Sequence, residues 1–174
     1  MRHITRVSLA IAASATLAGS LALPASAADT TATSATVQIE AGSLAISAPL
    51  GASLSALTPG GSAAATLTGI EVIDTRAGTG NWAASVALTD FVGATPTNII
   101  PATAATYTPA VAVESGTSTV APSTQSDLTV AKPVQSATGV VGNNTATWDA
   151  SLSVIAPPNA LADVYTATLT HSVL

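Results

Sequence analysis

Three runs of this chain alternate with a period of two, and that alternation constrains the fold more than any other feature. Trp82, Ala84, Val86 and Leu88 interleave with Ala83, Ser85, Ala87 and Thr89. Trp148, Ala150, Leu152 and Val154 interleave with Thr147, Asp149, Ser151 and Ser153. Tyr165, Ala167, Leu169, His171 and Val173 interleave with Val164, Thr166, Thr168, Thr170 and Ser172. Successive side chains of a strand point to opposite faces, so each run offers one face to a core and the other to water or small neighbours. The apolar share is 48%, much of it alanine, which favours helix. No segment sustains helical spacing over three turns, and the abundant Thr and Val agree with strand.

Shorter segments complete the pattern. Ser34–Glu40 and Leu44–Ala48, on either side of Ala41-Gly42-Ser43, read as a hairpin. Ala64–Asp74 reads as a strand, or two joined near Gly69, and Asn98–Ile100, Ala105–Tyr107, Asp127–Val130 and Gln135–Val141 as shorter ones. Turn signals stand between them at Thr58-Pro59-Gly60-Gly61, Gly78-Thr79-Gly80-Asn81, Gly142-Asn143-Asn144 and Pro157-Pro158-Asn159. Residues 109–133, rich in Ser, Thr, Val and Pro, read as a long surface excursion. The prediction is an all-β chain folded as a single antiparallel β-sandwich.

The N-terminus carries a different message. Arg2, His3 and Arg6 precede an uncharged run, Val7–Leu23; Pro24 ends it, and Ala25-Ser26-Ala27 supplies a small-x-small cleavage pattern. This order of basic, apolar and cleavable regions is that of a secretory signal peptide, residues 1–27, with the folded domain over 28–174. Beyond residue 27 only Arg76 and Lys132 are cationic, against nine acidic residues. Two dispersed cations cannot neutralise a row of phosphates, so nucleic acid is excluded as a partner, and electrostatic adsorption to anionic polymers or lipid is disfavoured. The absence of cysteine leaves an exported domain dependent on its core alone. No second apolar span and no LPxTG-like sorting signal follow, so release or non-covalent retention at the surface is expected.

Few residues offer chemistry. Trp82 and Trp148 could stack on a sugar or anchor a partner, but both fall in register with core-type residues, which favours burial. His171, the sole histidine after the leader, lacks an evident nucleophile or carboxylate partner and reads as structural. Asp74, Arg76 and Asp90 surround the Gly78–Asn81 turn. A calcium site is conceivable there, but the acids lack a calcium-loop spacing, and a turn cap with an Asp–Arg pair accounts for them. Asn143-Asn144-Thr145 matches a glycosylation triplet and is read as a turn. With one histidine and no cysteine, no cofactor, metal or enzymatic activity is expected.

Two blocks carry a family resemblance. Ile70-Glu71-Val72-Ile73-Asp74-Thr75-Arg76, a Gly-rich turn and then Trp82 opening a strand that runs to Asp90-Phe91 form the first; Tyr165-Thr166-Ala167-Thr168-Leu169-Thr170-His171-Ser172-Val173 forms the second. Together they resemble the WxL domain of Gram-positive surface proteins, especially its divergent secreted actinobacterial relatives. The resemblance implies an immunoglobulin-like sandwich that associates non-covalently with peptidoglycan, often within surface complexes. The signature tripeptides are altered: Ala83-Ala84 follows Trp82, His171 and Val173 stand where the family has Trp and Leu, and Trp148-Asp149-Ala150 is not the motif. The alternative reading is a self-assembling or partner-binding subunit that uses an exposed β-edge near its last strand.

Overall fold

The structure, a computed structural model, describes residues 33–174; the leader reading over 1–27 lies outside the described residues. The described residues are all-β and antiparallel, sandwich-like in arrangement. Its strands are β1 (Leu44–Ser47), β2 (Ser62–Asp74), β3 (Trp82–Leu88), β4 (Phe91–Gly93), β5 (Ile99–Ile100), β6 (Ala105–Pro109), β7 (Val113–Pro122), β8 (Gln125–Ser126), β9 (Lys132–Ile155), β10 (Tyr165–Thr166) and β11 (Leu169–Val173). A single 3-10 turn among the described residues, Ala102–Ala104, precedes β6.

One long strand organises the rest. On one edge β9 pairs with β3 through Lys132–Ala137 and then with β2 through Asn144–Ile155. On the other it pairs with β7 and then β6. The main sheet runs β1-β2-β9-β3-β11, and β4, β5 and β10 form a small second sheet. Gly139 and Gly142 have φ of +63° and +70°, and the β7–β9 register slips on both sides of Thr117. These are bulges, which bend the strand and increase its twist, so the two halves of β9 wrap over a common core.

That core is the set of alternating residues read from the sequence. Trp82, Ala84, Val86 and Leu88 of β3 are buried, as are Trp148, Ala150, Leu152 and Val154 of β9. Ile70 and Val72 of β2, Tyr107 of β6 and Val134 of β9 join them in one cluster. Truncating a fully buried aromatic in such a core typically costs about 3–5 kcal/mol.

Four local expectations are corrected. Gly142-Asn143-Asn144 is not a reversal, because the ladder continues through it as a bulge within β9. The 109–133 stretch is no simple excursion, since it supplies β7 and β8 to the sheet; apart from Val120, β7 buries neither face, so selection for alternation is weak there. Ser34–Glu40 forms no hairpin: β1 pairs with β2, and residues 33–42 are exposed without assigned secondary structure. Asp127–Val130 is a turn, with Asp127 at φ +55° and Leu128 buried beneath it.

Candidate functional site

Asp74, Arg76 and Trp82 belong to one construction. Asp74 ends β2 and is 2% exposed. Its Oδ1 accepts from the Arg76 backbone N–H at 3.0 Å and from Arg76 Nε at 2.9 Å, and its Oδ2 accepts from Arg76 Nη2 at 2.9 Å. Arg76 Nη2 also donates to the Gly80 carbonyl at 2.8 Å, which closes the turn into β3. Across the sheet Asn144 Nδ2 donates to Asp74 Oδ2 at 3.3 Å, while Asn144 Oδ1 accepts the Trp82 indole N–H at 3.0 Å. The Arg76 guanidinium, helped by its backbone N–H and by Asn144, holds the Asp74 carboxyl down to about 2 despite burial. The network ties the β2–β3 turn to the bulge of β9.

Asn144 escaped the sequence reading as a site residue. It is buried and stands 62 residues from the indole it satisfies, and no local pattern marks such a pairing. Asp90 does not join the cluster; its Oδ1 accepts the Ala102 N–H at 2.8 Å at the start of the 3-10 turn. The acids around the turn are thus spent on a cap and an ion pair. Among the described residues no group of three His, Cys, Asp or Glu side chains converges as a metal site.

A second polar pair lies inside the sheet. The Tyr107 hydroxyl shares a 3.2 Å hydrogen bond with His171 Nε2, and the rings meet edge to face with centroids 5.7 Å apart. Burial pushes the Tyr107 phenol up to about 12, with the nearby Trp148 indole acting in the opposite direction. Even so, Trp148 Nε1 reaches no acceptor in hydrogen-bond geometry among the described residues. Burial lowers the His171 pKa, favouring the neutral imidazole. Among the described residues no carboxylate hydrogen-bonds this imidazole, whose partner is the Tyr107 hydroxyl. Trp148 and Trp82 are 2% and 3% exposed, which removes both from any role as a stacking platform.

Tyr165 and His171 are the predicted residues beside open space. A groove of about 630 Å³ runs under Leu54–Pro59 past Phe91, Ile100 and Tyr165. A second, of about 550 Å³, continues from Leu50 and Leu54 toward Leu169 and His171. The Tyr165 hydroxyl donates to the Leu161 carbonyl at 2.8 Å, and Asp163 caps the same segment by accepting from Thr95 N–H, Asn98 Nδ2 and Val164 N–H. Both cations of the domain are engaged locally: Arg76 as described, Lys132 with the Ser126 carbonyl at 2.8 Å and Asp127 at 3.9 Å.

No protein-family model, curated protein or solved structure matches the chain. The described residues contain no helix long and apolar enough to cross a membrane.

Proposed function

We propose that this protein is an exported, non-catalytic structural module of a bacterial cell surface that associates non-covalently with peptidoglycan or with a neighbouring surface protein. One observation carries the reading. The side chains with distinctive chemistry (Asp74, Arg76, Trp82, His171) are consumed by internal bonds, leaving a Ser- and Thr-rich exterior. The resemblance to WxL domains supports it further, because the two resembling blocks lie side by side. Trp82 opens β3, and β3 pairs with β11 along the terminal block, with His171 opposite Val86. A wall contact would therefore rest on surface hydrogen bonds and scattered apolar contacts, not on aromatic stacking. Sedimentation of the purified protein with isolated peptidoglycan, with and without attached wall polymers, tests this reading. Co-sedimentation that survives high salt supports it, and recovery no greater than a control protein's refutes wall contact.

A second reading, assembly through a sheet edge, is favoured by β11. Among the described residues that strand pairs on one side only, with β3.

A further inference from the structure

The outer edge of β11 is open at the level of its backbone. Leu174 and Ala83 exchange both hydrogen bonds, at 3.1 and 2.8 Å, and Thr89 N–H donates to the Thr168 carbonyl at 3.0 Å. Antiparallel ladders alternate, so Thr170 and Ser172 bond toward β3 while Leu169, His171 and Val173 turn their N–H and C=O groups outward. Those groups meet no partner among the described residues. Leu169, His171 and Val173 are also only half-buried, although they face the core side. Across the seam Leu44 and Ile46 of β1 are half-buried too.

The other long edge, β7, is defended in the ways natural sheets use: Glu114 and Pro122 lie on it, and Gly116 at φ +86° breaks its register. β11 has no proline, no bulge and no Lys, Asp or Glu. Meanwhile Ser34–Glu40 has the composition of a strand without a ladder. Ala35, Val37 and Ile39 alternate with Ser34, Thr36, Gln38 and Glu40, yet Val37 is 86% exposed and Ile39 80%. Two large β-formers left in water beside alternating polar residues are what a strand lacking its partner presents.

We propose that Ser34–Glu40 of one copy adds to the β11 edge of a second copy, its backbone pairing with Leu169, His171 and Val173 and its Val37 and Ile39 covering the half-buried residues at the seam. This rests on the edge-assembly reading above and names the occupant. β1 comes within 8 Å of β11, Cα to Cα, without sharing a ladder. A strand laid between them needs two ladder spacings of ~4.8 Å, so the four-residue β1 must yield by at least about 2 Å. Because donor and acceptor are different surfaces, the contact is head-to-tail and propagates into chains or rings.

The test combines two variants of the protein with sedimentation velocity across a wide concentration range. Val37→Asp/Ile39→Asp disables the donor at exposed positions; Leu169→Pro removes an outward N–H while leaving the β3 ladder bonds in place. Far-UV circular dichroism and tryptophan fluorescence matching the parent establish that each variant is folded. The parent is expected to associate with concentration, and each variant alone to associate roughly a hundredfold more weakly. Mixed together, the two variants should form a discrete capped pair, since one retains the donor and the other the edge. Association that persists in the donor variant but not in Leu169→Pro overturns the donor assignment and leaves edge assembly standing. A parent that stays monomeric throughout overturns both. A monomer whose Ser34–Glu40 amides are protected from hydrogen exchange also overturns the proposal, because the segment then closes its own edge.

Discussion

Asp74→Asn is the most informative single change, because it removes a charge while nearly preserving shape. Asp74 is almost fully buried and accepts four hydrogen bonds, three from Arg76 and one from Asn144. Its pKa falls from 3.8 to about 2, chiefly through the Arg76 side chain. One pKa unit is worth about 1.4 kcal/mol, which puts the charge contribution near 2.4 kcal/mol at most. Arg76 is one-third exposed, and solvent screening brings this to about 1–2 kcal/mol. The amide also places a donor against the Arg76 donors, so the total loss is about 2–3 kcal/mol. The sign is set by the lowered folded pKa: this stability is fully present above about pH 4 and is lost as pH falls through about 2. Urea unfolding followed by tryptophan fluorescence reads it, since both tryptophans are buried. The gap between parent and variant should be full at pH 6 and shrink by about 1 kcal/mol near pH 2.5, where roughly two-thirds of the charge contribution is lost. A gap that stays constant over that range, or no gap at pH 6, refutes the assignment of the network's stability to the Asp74 charge.

Asn144→Ala leaves the Trp82 N–H buried without an acceptor and withdraws a donor from Asp74, and should cost about 1–3 kcal/mol in the same denaturation assay. Gly116→Ala forces a side chain into a left-handed backbone with φ +86°, against the Asn143 carbonyl and Asn144. It should destabilise by more than about 2 kcal/mol, whereas Gly139→Ala, with open space around it, should cost less in the same unfolding measurement. His171 has a lowered folded pKa, so its contribution is intact above about pH 6.5 and lost as pH falls through the folded value. His171→Gln should flatten the stability–pH curve between pH 7 and 5, which thermal melts across that range will show.

The alternating runs made the core legible in advance, because period two is a local property and needs only that one face be buried. Trp82, Trp148 and their strand neighbours are where that rule puts them. The turn at Gly78–Asn81 and the irregularity at Gly69 were equally legible, since glycine and asparagine announce them and β2 slips register between Leu67 and Ile70. The sequence also marked Asp74 and Arg76 as a local pair, two residues apart.

What the tertiary structure alone decided is non-local. The partner that completes the Asp74 site, Asn144, is 70 residues away and reaches it because the β2–β9 register sets the two residues opposite each other. Gly142-Asn143-Asn144 reads as a reversal from sequence, since the same residues serve turns and bulges, and only pairing on both edges keeps β9 continuous there. β7 carries little alternation because, Val120 aside, neither of its faces is buried, so its place in the sheet follows from ladder bonds that any side chain permits. Ser34–Glu40 is the converse case. Its alternation is as clear as that of β3, yet a strand exists only where a neighbour supplies the other half of its hydrogen bonds, and none of this chain's described strands does.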